Sequence, residues 1–146
     1  MTAPLDMRKA RAAFVNALIG TPYKVGAQGP EMFDCWSIAR HVQRHLFGRD
    51  LPAFQAPDDA GLQAIAGFIA THPERRRWRP VSRPVDGALV SMFRMGIGHH
   101  VGTFIDLDGG LVLHALPGIG VTVDPPFHLA APPDCWTRLR WYLPRV

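Results

Sequence analysis

Several residue types and motifs that mark common protein classes are scarce or missing in this sequence. Only Cys35 and Cys135 are cysteines, which leaves one disulfide open but is too few for the framework of a small secreted domain. The metal-binding patterns CxxC and HExxH do not occur, so we expect no metal site and no cofactor. No apolar run reaches the roughly eighteen residues of a membrane span, and none follows the N-terminal charges. We therefore expect synthesis in the cytoplasm without a signal peptide.

Lysine is also rare, and arginine carries most of the positive charge. The chain has 16 basic and 12 acidic residues, a formal net charge of +4, and all basic residues except Lys9 and Lys24 are arginine. This bias suits bidentate contacts with carboxylates or phosphates, but the composition of the coding sequence explains it equally well. Arginines also surround Trp78 between Glu74 and Pro84. We interpret that segment as a solvated surface loop rather than an anion site, and we expect no nucleic-acid partner.

The first half of the chain has the apolar spacing of helices. Residues 5–19 are predicted to form the first helix, and a second is predicted from Cys35 to about Phe47. A third is predicted between Asp58 and Pro73. The residues of the first helix that we expect to face inward are Met7, Ala10, Phe14, Ala17 and Leu18.

From residue 87 onward the apolar pattern changes to the alternation of β-strands. The predicted strands are Ala88–Phe93, Val101–Asp106, Leu111–Ala115, Ile119–Val123 and Arg138–Leu143. A tight hairpin turn is predicted at Asp108-Gly109, because Asp-Gly supplies the left-handed dihedral angles that such a turn needs. Helices followed by antiparallel strands predict an α+β fold, with N-terminal helices packed on a C-terminal antiparallel sheet in a single domain over residues 1–146.

Cys35 has the sequence context of a cysteine nucleophile. Asp34 precedes it as a candidate N-cap, so Cys35 falls in the first turn of its helix, where the helix dipole favours thiolate over thiol. Ile38, Val42 and Leu46 follow at steps of four and predict an inward face. A thiolate at a helix start is a common way to build a nucleophile, whereas most free cysteines are small buried hydrophobes. This segment alone leaves both interpretations open.

A cysteine nucleophile needs a base and a group that orients the base, and histidine supplies both. Three histidines fall on the predicted sheet: His99, His100 and His114. With a turn centred on Asp108-Gly109, paired residue numbers sum to about 217 and His114 lies opposite Thr103, although a bulge would shift this register by one. One histidine of the hairpin can then act as base and another can orient it. The remaining four are interpreted as surface or structural residues: His41, His45, His72 and His128.

Five short segments, taken together, resemble the NlpC/P60 family of cysteine peptidases. They are GTPY at 20–23, FDCW at 33–36, DGALV at 86–90, HVGTFI at 100–105 and LHA at 113–115. The resemblance covers most of residues 10–125, and its segments are specific as a set rather than singly. It implies a papain-like fold that hydrolyses amide bonds of peptidoglycan stem peptides, typically between D-glutamate and a diamino acid.

The resemblance also implies roles for particular residues. Cys35 matches the nucleophile, His100 the general base and His114 the residue that orients it. Tyr23 matches the tyrosine near the oxyanion, and Trp36 adjoins the same substrate-binding region. Trp36, together with Arg40, resembles the compact branch found in phage tails and gene transfer agents. That branch implies tail hub or baseplate proteins as partners and a location in the virion tail, acting in the periplasm or cell wall.

The sequence departs from the family pattern at several points, one of which is a longer turn between His100 and His114 that still keeps side-chain parity. Ser37 stands where the family usually has glycine, and His99 is an alternative base beside His100. Because of Ser37 and the short chain, the main alternative is a component of the tail tip or baseplate that retains the fold but has lost its activity. A cytoplasmic amidase or acyltransferase on a similar papain-like scaffold is a third. Cys135 matches no functional position, and we interpret it as structural.

Overall fold

The structure is a computed structural model that describes residues 4–53, 73–94, 97–132 and 136–145. Its helices are α1 (Leu5–Leu18), α2 (Cys35–Phe47), a 3₁₀ helix (Pro73–Arg77) and α3 (Pro126–Ala130). Its strands are β1 (Trp78–Val81), β2 (Leu89–Arg94), β3 (Ile97–Ile105), β4 (Leu111–Leu116), β5 (Gly120–Asp124) and β6 (Arg138–Pro144). The predicted third helix lies outside the described residues. None of the helices in the described ranges is long and apolar enough to cross a membrane.

The two long helices lie where they were predicted, and the inward face of α1 was predicted in part, since Phe14 and Leu18 pack against the core. Met7 is 47% exposed, whereas Arg11 and Val15 are buried. Arg11 is buried because its guanidinium lies 2.9 Å from the carboxylate of Asp86, on the loop before β2. The burial of Arg11 thus depends on an ion pair with a residue that is distant in the sequence, whereas Val15 is buried by apolar packing in the core. In α2, Ile38 and Val42 are buried as predicted.

The segment from Glu74 to Pro84, predicted to be a surface loop, contains regular structure instead. It forms the 3₁₀ helix and then β1, which pairs antiparallel with β6. Trp78 begins β1 with its side chain buried, and its indole N–H donates to the Glu74 carboxylate at 3.1 Å. The loop prediction was wrong because a short strand at the edge of a sheet is stabilised by a distant partner rather than by its own sequence pattern.

Six antiparallel strands form one sheet in the order β1-β6-β2-β3-β4-β5. Alternation along the strands gives the sheet two apolar faces. Leu113 on β4 packs with α1 and α2 on one face, while Val112 packs with α3 and Trp136 on the other. The predicted α+β class, with N-terminal helices on an antiparallel sheet, is confirmed.

The β3–β4 hairpin differs by one residue from the predicted register. Thr103 pairs with Leu113, so paired residue numbers sum to 216 rather than 217. The last pair before the turn is Ile105 with Leu111, so the turn holds one more residue than the prediction assumed, and Asp108, Gly109 and Gly110 within it have positive φ angles. Because side chains alternate between faces, this shift decides the geometry: His100 and His114 now lie on the same face of the sheet.

A buried amide fixes α2 against the sheet. Gln43 is fully buried, and its Nε2 donates to the Gly87 carbonyl at 3.0 Å and to Thr103 Oγ1 at 3.4 Å. Arg49 donates to Gln43 Oε1 at 3.0 Å and to the same Gly87 carbonyl at 2.7 Å. The helix that begins at Cys35 is thereby connected to β3 by polar contacts as well as by apolar packing.

Candidate active site

The start of α2 is held by a reciprocal cap. The Asp34 carboxylate accepts from the Ser37 amide at 2.7 Å, and the Ser37 hydroxyl accepts from the Asp34 amide at 2.9 Å. The second carboxylate oxygen accepts from the Gly26 amide at 3.2 Å and so attaches the preceding loop. The predicted N-cap is confirmed, and the Ser37 side chain has a defined role in the cap.

The thiol of Cys35 is free and buried, and it lies against β3. Burial, with a smaller effect of the neighbouring Asp34 carboxylate, raises the thiol pKa from 9.0 to about 12. Hydrogen bonding from the backbone of Val101, Cys35 and Trp36 acts in the opposite direction but does not compensate. Desolvation therefore has the largest effect on this thiol, and it acts against the lowering expected at the start of a helix. The contact with Val101 places the sulfur beside the residue that follows His100.

Tyr23 lies on the loop that packs against the start of α2. It forms a bridge with Phe33, two residues before Cys35. Partial burial, together with the negative charges that Cys35 and Asp34 can carry, raises the pKa of Tyr23 to about 12. The phenol therefore stays protonated at neutral pH and remains a hydrogen-bond donor near the thiol.

The two predicted histidines are brought together directly. Nε2 of His100 lies 2.8 Å from Nδ1 of His114, and both side chains are buried. Nε2 of His114 lies 2.9 Å from the Asp124 carboxylate at the end of β5. The side chains of His100, His114 and Asp124 thus form a continuous hydrogen-bonded chain, which we call the imidazole chain.

An aromatic ring supports the first member of the imidazole chain. The ring centroid of Trp136 lies 5.1 Å from that of His100, and the two planes are 12° from parallel. The Arg94 guanidinium lies 4.2 Å from the Trp136 ring centroid. Stacking of this kind restricts the rotation of the His100 ring and so defines where its nitrogens point.

The two residues that carry the resemblance to tail proteins both bind the segment after α2. The buried indole of Trp36 donates to the Pro52 carbonyl at 2.8 Å, and Arg40 Nε donates to the Leu51 carbonyl at 2.9 Å. The Trp36 side chain is thus packed under the site, while its backbone lies at the Cys35 sulfur.

The remaining candidate residues are not members of the imidazole chain. His41 stacks on Phe14, and His128 lies in α3 rather than in the predicted loop. The backbone of His99 lies in β3, but its side chain, like all of His72 and Cys135, falls outside the described part of the chain. Within the described residues, no group of three or more His, Cys, Asp and Glu side chains is arranged to hold a metal ion.

The NlpC/P60 family profile matches residues 20–142 of this chain, which include every residue of the imidazole chain and Cys35. The chain belongs to the NlpC/P60 family. This is a family of cysteine peptidases and hydrolases, and the membership confirms the resemblance at the family level.

Similar proteins agree with this assignment. Protein P54 of Enterococcus faecium is 32% identical over 106 residues, which are 72% of this chain but only 17% of that protein. The NlpC/p60 domain of the peptidoglycan hydrolase SagA superposes with a TM-score of 0.55 at 25% identity, covering 94% of this chain and 97% of that domain. A lipoprotein-like NLP/P60 protein of Staphylococcus aureus, 17% identical, has the same fold with a TM-score of 0.57, covering 96% of this chain and 42% of that one.

Two residues of the site were missed by sequence reasoning. Trp136 lies 36 positions from His100, and no local pattern connects them. The position of Asp124 could have been predicted, because the Gly-containing turn between β4 and β5 indicates a hairpin. In this hairpin His114 pairs with Thr122, and Asp124, two residues further along β5, lies on the same face of the sheet.

Proposed function

We propose that this domain is a cysteine endopeptidase that cleaves amide bonds in peptidoglycan stem peptides. The proposal rests on one observation, that the Cys35 thiol and the pair His100 and His114 lie close together at β3. The Cys35 thiol at the start of α2 contacts the backbone of Val101, and the adjacent His100 is hydrogen-bonded to His114 at 2.8 Å. A nucleophile, a base and a group that orients the base are the three parts that acyl transfer needs.

The proposed reaction proceeds through an acyl-enzyme. Because the resting thiol is protonated, His100 takes its proton as the sulfur attacks the carbonyl carbon and the C–S bond forms. The tetrahedral intermediate collapses, the C–N bond breaks, and His100 returns the proton to the leaving amine. Water then attacks the thioester with His100 again as base, releasing the carboxylic acid and regenerating the thiol.

The charge that develops on the carbonyl oxygen needs donors, and we assign them to groups around the sulfur. The backbone N–H groups at the start of α2 point toward this region, and the positive end of the helix dipole adds to their effect. The Tyr23 hydroxyl is the side-chain donor we propose, since a phenol is protonated at neutral pH and the raised pKa of Tyr23 keeps it protonated at alkaline pH as well.

Similarity to characterised relatives supports the substrate class. SagA is described as a peptidoglycan hydrolase, and its NlpC/p60 domain superposes on nearly the whole of this chain. We propose that the bond cleaved joins D-glutamate to a diamino acid, as the family resemblance implies.

Purified muropeptides provide the test. The wild-type protein is incubated with them, and the products are separated and weighed by liquid chromatography and mass spectrometry. We expect stem peptides cut at one amide bond, with no cut by Cys35→Ala and strongly reduced cutting by His100→Ala. Intact muropeptides after incubation with folded wild-type protein, or cleavage that survives Cys35→Ala, would contradict the proposal.

We further propose that the domain acts in a phage or gene-transfer-agent tail, where it opens the cell wall for the tail tube. Support comes from Trp36 and Arg40, which resemble that branch of the family and both anchor residues 51–52. Hub or baseplate proteins would then bring it to the periplasm. Mass spectrometry of purified particles should detect the chain at a fixed ratio to other tail proteins; its absence from them would refute this location.

One observation favours a second candidate, an inactive structural component of the tail tip or baseplate. The Cys35 side chain is buried, and burial raises its pKa to about 12, a combination typical of structural rather than nucleophilic cysteines. The two candidates differ in one outcome. The structural component would be present in particles but would leave muropeptides intact at every pH between about 5 and 10.

A further inference from the structure

The imidazole chain ends in a carboxylate, and this end determines how the protons along it are arranged. Asp124 Oδ2 lies 2.9 Å from His114 Nε2, and an ionised carboxylate can only accept a hydrogen bond. His114 must therefore carry its proton on Nε2. In neutral His114 this leaves Nδ1 as an acceptor.

The same reasoning extends to the next ring. His100 Nε2 lies 2.8 Å from His114 Nδ1, and because that Nδ1 accepts, His100 must donate from Nε2. A neutral His100 with its proton on Nε2 has its lone pair on Nδ1. The direction of both hydrogen bonds is unchanged when Nδ1 later receives a proton, because the imidazolium still donates from Nε2.

We propose that Asp124 is the positioning residue that sets the tautomers of both histidines and so leaves Nδ1 of His100 as the basic nitrogen. The catalytic role of Asp124 rests on the proposed function, but the tautomers of the two histidines can be measured whether or not the protein is active. Asp124 also places a negative charge at the far end of the imidazole chain, which favours the imidazolium formed when His100 takes the thiol proton.

The position of Asp124 suits this role. Its carboxylate is 22% exposed, whereas His114 is fully buried, so the charge keeps contact with solvent while its hydrogen bond is directed inward. Its other oxygen, Oδ1, lies 4.0 Å from Nδ1 of His128, an exposed residue of α3. That distance is too long for a hydrogen bond, and the direct partner of the carboxylate on the sheet face is His114.

Three substitutions separate this role from simple packing. In Asp124→Asn the amide can donate to His114 Nε2, which reverses both hydrogen bonds and puts a proton on His100 Nδ1. In Asp124→Ala, water can accept from His114 Nε2 at this partly exposed position and preserve the tautomers. Asp124→Glu keeps the acceptor.

We therefore expect an inverted order of activity, in which the near-isosteric variant is the worst. For muropeptide cleavage, kcat should fall by about 10³- to 10⁴-fold in Asp124→Asn, as expected when a histidine is held in the wrong tautomer. The fall should be smaller in Asp124→Ala and smallest in Asp124→Glu, with little change in KM. A purely structural Asp124 would give the opposite order for Asn and Ala.

The tautomers can be read directly by nitrogen-15 NMR of the imidazole rings at about pH 8. The spectra are recorded in a Cys35→Ala background, because this measurement does not require an active protein. Both histidines should carry the proton on Nε2, and Asp124→Asn should move it to Nδ1 on both. Asp108→Asn, at an exposed turn residue, is the matched control and should change neither ring.

The outcomes distinguish this inference from the proposed function. If the tautomers shift as expected but wild-type protein leaves muropeptides intact, the positioning role holds and the peptidase proposal fails. If wild type cleaves and the His114 proton lies on Nδ1, or Asp124→Asn retains more activity than Asp124→Ala, the positioning role is overturned. Urea unfolding of each variant establishes that it is folded.

Discussion

Trp136 lies flat against His100, with ring planes 12° from parallel and centroids 5.1 Å apart. The Arg94 guanidinium lies against the same indole, 4.2 Å from its centroid. The stacking on the face of the imidazole and the hydrogen bond from its edge to His114 are independent contacts, and both orient the ring.

Removal of the stacked ring should lower turnover rather than substrate binding. We expect Trp136→Leu to reduce kcat roughly 3- to 10-fold with little change in KM, as stacking is worth about 0.5–1.5 kcal/mol. Trp136→Phe should lie between. The matched control is Trp141→Leu, which truncates another buried tryptophan of the same cluster. Equal losses of kcat in both leucine variants would indicate a general packing effect.

The alkaline limit of stability should depend on the buried thiol. Burial raises the pKa of Cys35 from 9.0 to about 12, so in this pH interval the unfolded chain loses a proton that the folded chain keeps. The free energy of unfolding contributed by this group is fully present below pH 9 and falls as the pH rises toward 12. Urea unfolding of wild type and Cys35→Ala at pH 7, 9 and 10.5 measures this contribution.

The stability of wild type relative to Cys35→Ala should decrease between the last two pH values. Tyr23 acts in the same direction, and because it is retained in both proteins its contribution is largely removed by the comparison. A difference that is constant from pH 7 to 10.5 would contradict the raised thiol pKa.

Ser37 should contribute to stability through the cap of α2. Its hydroxyl accepts from the Asp34 amide at 2.9 Å, so Ser37→Ala leaves that buried donor without its partner. We expect a loss of about 1 kcal/mol in the free energy of unfolding. Ser82→Ala, at an exposed bend, is the control and should stay within about 0.5 kcal/mol. A loss no larger than that of the control would remove the capping role.

Two glycines of the β4–β5 turn should respond differently to a methyl group. Both have positive φ angles, +76° at Gly118 and +85° at Gly120, so alanine is strained at either position. At Gly118 the added Cβ meets open space, whereas at Gly120 it overlaps the carbonyl of Thr21.

Gly118→Ala should therefore lower the free energy of unfolding only by the backbone strain, about 1–2 kcal/mol. Gly120→Ala should lower it further. Displacing Thr21 also moves the loop that bears Tyr23, so muropeptide cleavage should fall further in Gly120→Ala. Urea unfolding and the cleavage assay test both statements, and equal behaviour of the two variants would show that the close contact is unimportant.

Local signals in the sequence were sufficient for α2 and its cap. Asp34 and the apolar residues at steps of four act within a few positions of Cys35, and the structure confirms the helix they predict. The burial of Arg11 on α1 could not be predicted in the same way. It depends on the ion pair of Arg11 with Asp86, and that partner is known only once the sheet is formed.

For the paired histidines, a difference of one residue in the strand register separates a correct prediction of the site from an incorrect one. The residues were predicted, but one additional residue in the turn at Asp108–Gly110 decides whether His100 and His114 share a face. Turn geometry of this kind depends on backbone angles that composition alone does not specify. β1 was missed for a related reason, because its partner β6 lies about sixty residues away.

The buried amide of Gln43 has a consequence for the precision of the site. It lies about two helical turns after Cys35, and its contacts to Gly87 and Thr103 tolerate little movement along the helix axis. A slide of α2 by a single residue, about 1.5 Å, would break both. The contacts of Gln43 therefore fix the position of α2 along its axis, and so the distance from the Cys35 sulfur to the imidazole. They do this from about 12 Å away from the reacting atoms.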